Sequence, residues 1–377
     1  MKSFTVLRNL TSIALTACCV IGIANARAQT YILTDLGVIP GQKGDTVVTP
    51  AAINDQGQVA GTSGASAFRY TRAKAEMEDA GVNPWGNISR GFGINSSGQV
   101  VGDSIFGKTE VSHAALFSNG VATDLGNGGV FSRANGINSS GQVVGFSSDA
   151  RDGNNSRAFI LSTAHRGRMI DLGTLGGAYA QALAINESGF VTGNAEIPIR
   201  AGVVSSHAFI WHAKTGMRDL STLGGDSSYG TSINVNNHVV GYSTINNSDQ
   251  RIHAFLYQDG KMLDLGSLSG ASLDTDFSFA LGVNADDAVV GYSYLPFDNG
   301  KSSINVPLGP WSVAFIYRNG LMVNLNDLIG PASTNYRLDS ATAINDNGEI
   351  VAIAFDRKGD VFHAVLLTPN SDRPVMQ

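Results

Sequence analysis

The sequence comprises 377 residues, of which 43% are hydrophobic and 15% are charged, whereas about 25% of the residues are charged in an average globular protein. The apolar content is sufficient for a folded core, which excludes an intrinsically disordered chain. The 31 acidic residues outnumber the 25 basic ones and give a net charge of −6. Because an acidic surface repels the phosphate backbone, we expect no nucleic-acid partner.

Residues 1–28 have the pattern of a secretory signal peptide. Lys2 and Arg8 precede an apolar run over residues 10–24, which is too short to span a bilayer comfortably. Ala26 and Ala28 supply the small side chains that signal peptidase accepts before its cleavage site. The sequence therefore predicts cleavage after Ala28 and a protein that is secreted or located in the periplasm.

A lipid anchor is the alternative for the same segment. Residues 15–18 (Leu-Thr-Ala-Cys) are similar to a bacterial lipobox, in which Cys18 would carry the lipid. The residues after Cys18 stay apolar up to Ile23, whereas a lipoprotein usually becomes polar there, so we favour free secretion. Both cysteines, Cys18 and Cys19, are then removed with the signal peptide, which leaves no disulfide. We expect no membrane span in the remaining sequence.

From residue 31 onward the sequence repeats one pattern seven times: Ile-Asn or Val-Asn, a polar turn and a β-branched run. Successive asparagines are 41, 43, 48, 48, 50 and 61 residues apart, and a period of about 40 to 50 residues is typical of propeller blades and helical arrays. Runs such as residues 143–147 (Val-Val-Gly-Phe-Ser) are too short for helices, which favours blades. The repeated asparagines are Asn54, Asn95, Asn138, Asn186, Asn234, Asn284 and Asn345.

A second hairpin follows in every repeat, as in residues 253–257 (His-Ala-Phe-Leu-Tyr) and 262–266 (Met-Leu-Asp-Leu-Gly). Four short strands joined by Gly-rich turns correspond to one blade of a propeller. We therefore predict an all-β fold, a seven-bladed β-propeller with four-stranded antiparallel blades over residues 29–370. A disordered tail over residues 371–377 follows.

The two ends of the repeat region have complementary patterns. Residues 31–36 correspond to the outer strand of a blade, and residues 364–367 correspond to a third strand. Their antiparallel pairing would close the ring and remove two exposed strand edges. The strand that ends in Ile-Asn is rich in Ala, Gly and Ser, and by analogy with WD-repeat propellers it lies nearest the axis.

The third and fourth strands carry a more specific motif. His-Ala-Phe recurs in the third strands, and Asp-Leu-Gly-Thr-Leu-Gly-Gly at 171–177 and Asp-Leu-Ser-Thr-Leu-Gly-Gly at 219–225 belong to the fourth. With this combination the sequence resembles the HAF-repeat proteins, a group of extracellular bacterial repeat proteins. Some copies depart from the motif, such as Asp-Ala-Gly at 79–81 and His-Ala-Val at 363–365. The resemblance implies a repeat fold and an extracellular location, and it implies no particular reaction.

Histidine recurs at one position, immediately before Ala, in four of the copies. We expect these side chains to hydrogen-bond one blade to the next. Seven-fold spacing would keep the imidazoles too far apart to share a metal ion, so the sequence predicts neither a metal nor a cofactor. The four residues are His113, His207, His253 and His363.

Binding residues are expected where the copies differ. The connections 149–156, 194–206, 244–252 and 294–311 are long and unequal and would lie on one face of the ring. Unequal loops on a rigid scaffold often carry binding sites. Five positions before each asparagine, near the start of the inner strand on that face, the residue type also changes. This series is Thr49, Arg90, Arg133, Gln181, Tyr229, Phe279 and Ser340.

From this series and the nearby loops we predict a set of ligand-binding residues. Guanidinium groups suit the carboxylate or sulfate of an acidic sugar, and aromatic side chains stack on sugar rings. Alternatively, these side chains only contact neighbouring blades and solvent. The predicted set is Arg90, Arg133, Gln181, Tyr229, Tyr294, Trp311 and Arg337.

Three functions remain open. The preferred one is a monomeric, secreted binding module for a polysaccharide or a cell-surface protein. The second is a lyase or hydrolase for an acidic polysaccharide, in which Arg133 or Arg90 neutralises the uronate and Tyr229 transfers the proton. The third is a structural envelope or matrix protein. The histidines outside the repeated motif stand in or beside the tight turns of the opposite face, which disfavours a histidine-based enzyme.

Overall fold

The computed structural model describes most of the chain after the predicted signal peptide, namely residues 29–44, 46–82, 88–107, 111–126, 129–149, 155–163, 168–200, 202–248, 251–270, 276–295, 311–333 and 335–370. In this part of the chain nearly every element is a strand, and the strands form seven sheets. The prediction of a seven-bladed β-propeller with four-stranded antiparallel blades is confirmed. The predicted signal peptide and C-terminal tail lie outside the described residues.

The first strand, β1 (Tyr31–Asp35), belongs to the last blade, and blades 1 to 3 then follow in chain order. Blade 1 contains β2 (Val48–Ile53), β3 (Val59–Ser63), β4 (Ser66–Thr71) and β5 (Glu76–Asp79). A short strand, β6 (Gly81–Val82), joins the outer edge of blade 2, which contains β7 (Ser89–Ile94), β8 (Val100–Ile105), β9 (Ser112–Ser118) and β10 (Gly120–Asp124). Blade 3 contains β11 (Phe131–Ile137), β12 (Gln142–Ser148), β13 (Arg157–Ser162) and β14 (Ile170–Asp171).

Blades 4 to 7 repeat this order. Blade 4 contains β15 (Ala180–Ile185), β16 (Val191–Arg200), β17 (Val203–His212) and β18 (Gly216–Asp219). Blade 5 contains β19 (Ser228–Ile233), β20 (Val239–Thr244), β21 (Ile252–Gln258) and β22 (Lys261–Asp264). Blade 6 contains β23 (Ser278–Val283), β24 (Val289–Leu295), β25 (Trp311–Arg318) and β26 (Leu321–Asn324), and 3₁₀ turns follow at Leu325–Asp327 and Pro331–Ser333. Blade 7 contains β27 (Tyr336–Ile344), β28 (Ile350–Asp356), β29 (Val361–Pro369) and β1.

The two ends of the described chain close the ring within blade 7. β1 pairs antiparallel with β29, so that Leu33 lies opposite Leu367 and Thr34 opposite Leu366. The predicted closure is therefore confirmed. The repeat region begins with an outer strand and finishes with a third strand. Each of these two strands therefore supplies the hydrogen-bonding partner that the other would lack.

The hydrophobic core lies between the blades. Phe209 of blade 4 packs in one buried cluster with Val144 and Ala158 of blade 3. Because both faces of each blade are covered in this way, the strands contain continuous apolar runs instead of an alternating pattern. The phenylalanines of the five repeated Ala-Phe pairs are all 2% exposed or less: Phe68, Phe159, Phe209, Phe255 and Phe315. Phe117 of blade 2, which follows Leu116, is equally buried.

The glycine of the repeated Val-Val-Gly segment is required by close packing inside each blade. A methyl group on Gly241 would lie 1.8 Å from the carbonyl oxygen of Tyr229, and one on Gly145 would lie 1.9 Å from that of Arg133. Both contacts occur where the inner strand has a β-bulge and approaches the second strand. Only glycine fits at this position in blades 3 and 5 without a backbone shift.

The repeated asparagines form a closed ring of hydrogen bonds on the tight-turn face, which we call the asparagine ring. Each side-chain amide donates to the backbone carbonyl of the asparagine in the next blade, at 2.8 to 3.3 Å. The last of these bonds runs from Asn345 to Asn54 and joins blade 7 to blade 1 at 3.0 Å. All seven residues are buried. The sequence motif read as a hairpin turn therefore also connects every blade to its neighbour.

One predicted loop is a regular structure. The connection at 194–206 is a β-ribbon, because β16 and β17 each continue for ten residues and pair until Arg200 lies opposite Val203. The loop prediction was wrong here, since the segment is rich in Ile and Val, which favour extended backbone. Residues 150–154, 249–250 and 296–310 of the other three connections lie outside the described residues.

Candidate functional site

The residues five positions before the asparagines form one level of the propeller, near the start of each inner strand. Each lies directly opposite a residue of the second strand, and directly opposite residues project from the same face of a sheet. We call these seven couples the mouth pairs, because they lie on the side of the long connections. They are Thr49–Thr62, Arg90–Asp103, Arg133–Phe146, Gln181–Asn194, Tyr229–Tyr242, Phe279–Tyr292 and Ser340–Ile353.

Two mouth pairs bring the predicted arginines of blades 2 and 3 together. Arg90 makes two hydrogen bonds of 2.8 Å to the carboxylate of Asp103, and Nε of Arg133 donates to the same carboxylate at 3.0 Å. The Asp103 side chain is 1% exposed. The guanidinium of Arg133 also lies 4.8 Å from the ring centre of Phe92, a cation–π distance. Two positive charges thus share one negative charge, and this arginine cluster (Arg90, Arg133 and Asp103) carries a formal charge of +1.

Two further mouth pairs bring aromatic rings of blades 5 and 6 together. Tyr229 and Tyr242 stack with ring centres 5.0 Å apart, and Phe279 and Tyr292 stack at 4.7 Å. Tyr242 also meets Phe279 edge-on at 5.0 Å across the boundary between the blades. Tyr294 lies 6.1 Å from Tyr292 and 6.2 Å from Phe279. With Phe277, which contacts Tyr294 at 6.0 Å, these half-buried residues form the aromatic cluster.

Three phenols of this region, those of Tyr179, Tyr242 and Tyr292, have raised pKa values. Burial raises the pKa of Tyr242, and the neighbouring Tyr229 raises it further. Burial, followed by the neighbouring tyrosines Tyr294 and Tyr242, raises the pKa of Tyr292 to about 12. Burial also raises that of Tyr179, at the start of blade 4, to about 12, with smaller contributions from Tyr229 and Glu196. These groups therefore act as neutral hydrogen-bond donors.

The other predicted site residues lie apart from these clusters. Gln181 faces Asn194, whose side-chain amide donates to Ser206 at 2.9 Å. Arg337 lies three positions before the mouth level of blade 7 and is paired with Asp339 at 2.6 and 2.8 Å. Trp311 begins β25, and its side chain lies outside the described residues. The structure thus places Arg90 and Arg133 in the arginine cluster and Tyr229 and Tyr294 in the aromatic cluster. Ligand binding by these residues stays a prediction.

The second member of each mouth pair is absent from the set of site residues predicted from the sequence. Asp103 makes the mouth pair of blade 2 charged, and Tyr242 and Tyr292 make those of blades 5 and 6 aromatic. None of these three was among the predicted site residues. Each stands 13 positions after its inner-strand partner, as do the partners in the other four blades. Because the turn between the two strands is tight and of constant length, this spacing could have revealed them.

The repeated histidines act mainly within blades. Nδ1 of His207 lies 3.0 Å from the carboxylate of Asp219 in the next strand of the same blade, and His363 pairs with Asp35 across the ring closure in blade 7. The prediction of bonds between blades was wrong for these residues, because the third and fourth strands of one blade place the two side chains side by side. In blade 3 the same position holds Arg157, which pairs with Asp171 at 3.0 Å.

Comparison with known proteins identifies the family. Residues 131–365 match the family described as "Protein of unknown function (DUF3466)". The chain belongs to this family. The DUF3466 region contains the whole aromatic cluster and Arg133, whereas Arg90 and Asp103 precede it. None of the curated proteins matches the sequence.

Solved structures resemble this DUF3466 protein at low identity. The β-propeller domain of the Trilobed protease from Pyrococcus furiosus, which has an open velcro topology, is 9% identical with a TM-score of 0.50, covering 92% of this chain and 96% of that chain. YCF48 bound to D1 peptide is 8% identical with a TM-score of 0.49, covering 92% and 98%. A gluconolactonase from Xanthomonas campestris is 7% identical with a TM-score of 0.44, covering 92% and 93%. At these identities the likeness concerns the fold alone.

Within the described residues, no three potential metal ligands converge on one point. The same part of the chain contains no helix that is apolar and long enough to cross a bilayer.

Proposed function

We propose that this DUF3466 protein is a secreted module that binds a polysaccharide at the mouth pairs. The observation that carries this proposal is the aromatic cluster, in which four stacked or edge-on rings of two blades remain half-buried at one level of a rigid frame. Sugar rings bind proteins by stacking on such aromatic faces. Rings that already pack against one another lose little conformational entropy on binding, so the cluster is preorganised.

The charges at the same level favour an acidic sugar. The arginine cluster has a formal charge of +1, and Arg90 keeps a side chain that is 38% exposed, so it can meet a carboxylate or sulfate. The tyrosines supply neutral donors for sugar hydroxyls, since the pKa values of Tyr242 and Tyr292 are raised. Protonated phenols of this kind favour binding over proton abstraction from the ligand.

The location and the repeat class belong to the same proposal. The signal-peptide pattern of residues 1–28 and the resemblance to the HAF-repeat proteins both support secretion, because that group is extracellular. A polysaccharide is a ligand that such a protein would meet outside the cell. We also propose that it acts as a monomer, with its ring already closed by β1 and β29.

The test compares an acidic and a neutral polymer. We expect purified protein to be retained by polygalacturonate in affinity electrophoresis more strongly than by a neutral β-glucan. Tyr242→Ala should weaken this binding at least about tenfold, the usual range for an aromatic residue at the centre of an interface. Tyr242→Phe should retain most of it, since the ring is preserved.

Tyr257→Ala provides the matched control, because Tyr257 is a half-buried tyrosine of blade 5 that packs in a core cluster away from the mouth pairs. An equal loss of binding in both alanine variants would contradict the proposed site. Absence of binding to any polymer by the folded wild type would contradict the proposed function. Unsaturated products that absorb in the ultraviolet would identify a lyase instead.

A further inference from the structure

One of the four repeated histidines differs from the others in its partners. The imidazoles of His113, His207 and His363 each pair with one carboxylate through Nδ1. His253 uses both nitrogens: Nδ1 lies 2.9 Å from Asp264 and Nε2 lies 3.0 Å from Asp276. We call this arrangement the His253 bridge.

The bridge joins two blades. Asp264 is the last residue of the outer strand of blade 5, whereas Asp276 lies two residues before the inner strand of blade 6. The side chains of His253 and Asp276 are 9% and 6% exposed. Asp276 also accepts hydrogen bonds from Arg251 at 2.8 Å and from Ser267 at 2.7 Å. The carboxylate of Asp276 is therefore held firmly, and His253 is its link to the third strand of blade 5.

The bridge lies close to the contact that joins the aromatic residues of blade 5 to those of blade 6. In that contact, Tyr242 of blade 5 meets Phe279 of blade 6 edge-on. His253 is directly opposite Ser243, the neighbour of Tyr242 in β20. Asp276 immediately precedes Phe277, whose carbonyl accepts a hydrogen bond from the backbone of Tyr294 at 3.0 Å. The bridge is therefore connected through adjacent residues to aromatic side chains of both blades.

Protonation decides whether both bonds can exist. A neutral imidazole has one N–H group and can donate to one carboxylate, whereas imidazolium donates to two. The charged groups that face the bridge are Asp264, Asp276 and Arg251. With His253 protonated the four charges cancel, and without that proton one of the two nitrogens presents a lone pair to the carboxylate that it faces, so only one of the two bonds remains. The other three histidines need only one N–H for the carboxylate that each contacts.

We infer that His253 and Asp276 are positioning residues, which hold the aromatic residues of blade 6 against Tyr242 while His253 is protonated and release them when it loses its proton. The effect on polysaccharide binding rests on the function proposed above. The effect on the aromatic residues themselves does not. This makes the aromatic cluster a pH-dependent surface, assembled while His253 carries its proton and loosened once that proton is lost.

The pKa of His253 agrees with this role. Burial by itself lowers the pKa of the imidazole, but the hydrogen bonds and charges of Asp264 and then Asp276 outweigh burial and raise it above the ordinary value. Because the pKa is raised in the folded protein, the stabilising bond is fully present below the ordinary histidine pKa of about 6.5. It is lost as the pH rises through the raised value.

A titration of the intact protein followed by nuclear magnetic resonance tests the inference without any ligand. With histidine, tyrosine and phenylalanine labelled, we expect His253 to lose its proton at a pH above the ordinary histidine pKa of about 6.5. The ring signals of Phe277 and Tyr242 should shift with the same midpoint as His253. Ring signals that do not change as His253 titrates would overturn the inference. This result does not depend on whether a polysaccharide binds.

Three variants sharpen the test. His253→Arg keeps a positive charge, as Arg157 does beside Asp171 in blade 3, so the ring signals should no longer change with pH. His253→Ser, the residue type found at Ser66 in blade 1, should give the alkaline positions at every pH. His207→Ser is the control, because His207 pairs with one carboxylate in its own blade, and it should leave the transition unchanged. A transition that persists in His253→Ser would contradict the inference.

Polygalacturonate binding provides the second readout, since its carboxylates stay ionised throughout this range. We expect wild-type affinity to fall about fivefold across the transition, at the lower end of typical coupling between sites, and to stay constant in His253→Arg. Ring signals that follow His253 in a protein that binds no polymer would refute the proposed function alone. Binding with the same pH profile in wild type and His253→Ser would refute the positioning role alone.

Discussion

The inner strands of the propeller contain two levels, five residues apart, that follow opposite rules. At the asparagine ring, seven blades carry the same residue, and each side chain bonds to the next blade around the closed circle. At the mouth pairs, the seven blades carry seven different combinations. Every blade must bond to its neighbour for the ring to close, so the residue that makes this bond is the same in each repeat. The mouth-pair residues are not needed for closure, so they can differ between blades and can form a binding surface.

The mouth itself contains two unlike regions. In the arginine cluster, the buried carboxylate of Asp103 already neutralises one of the two guanidinium groups. In the aromatic cluster the rings stack in pairs within each blade, and the edge-on contact of Tyr242 with Phe279 crosses the boundary between the blades. The charge of the first region is thus largely compensated inside the protein, whereas the half-buried rings of the second region keep part of their apolar surface accessible, which is why the proposed function rests on the rings.

The largest effect is expected from the frame directly behind the mouth. Gly241→Ala would place a methyl group 1.8 Å from the carbonyl of Tyr229 and 3.0 Å from the ring of Phe255. Because neither neighbour can move without shifting a strand, we expect a loss of more than about 4 kcal/mol in the free energy of unfolding. Gly330→Ala is the control, since no atom lies within 4 Å of its added methyl group. Urea unfolding measures both, and similar values would contradict the packing argument.

The second-largest effect concerns stability and compares the asparagine ring with the mouth level in one strand of blade 4. Asn186→Ala removes two hydrogen bonds of 2.8 Å that the side-chain amide donates to Asn234 and Asn237. It also removes two that the side-chain oxygen Oδ1 accepts from backbone N–H groups of its own turn. At about 0.5 to 1 kcal/mol for each of these four bonds, we expect a loss of about 2 to 4 kcal/mol. Gln181→Ala, at the mouth level of the same strand, should cost less than about 1 kcal/mol. Equal losses in urea unfolding would show that both levels belong to the frame.

The smallest effect concerns the charge of the mouth. Asp103→Asn keeps the shape of the side chain but removes the charge that compensates Arg90 and Arg133. We expect polygalacturonate affinity to rise about threefold and to become more sensitive to salt, because the added positive charge is partly exposed. Glu78→Gln is the control, since it leaves Arg69 uncompensated on the outer strands of blade 1. An unchanged affinity in Asp103→Asn would place the ligand away from the arginine cluster.

Much of the fold could be predicted from single residues and spacings. The seven asparagines gave the blade count, and the outer-strand pattern of residues 31–36 gave the ring closure that β1 and β29 confirm. The asparagines were read only as turn residues, because their side-chain bonds go to a different repeat. The prediction that the histidines bond to the next blade was wrong for His113, His207 and His363, because the adjacent fourth strand of the same blade supplies their carboxylate partners. It is confirmed for His253, which also reaches Asp276 of the next blade.

The candidate site was predictable in part. Divergence at one position in the repeat found Arg90, Arg133, Tyr229 and Phe279, and the constant spacing of 13 residues leads from these to their partners. That a single carboxylate joins Arg90 to Arg133 could not be read in the same way. The two side chains belong to different blades, and only the rotation between those blades decides whether they share Asp103.

The sequence by itself determined the number of blades, the order of their strands and the manner of closure. Each of these follows from demands for burial and backbone hydrogen bonding that recur in every repeat and leave a periodic trace. Tertiary structure alone decided that the asparagine amides point to the next blade, that Tyr242 meets Phe279 and that His253 reaches a second carboxylate. Such contacts depend on the angle and distance at which two repeats pack, and no local pattern of residues encodes these quantities.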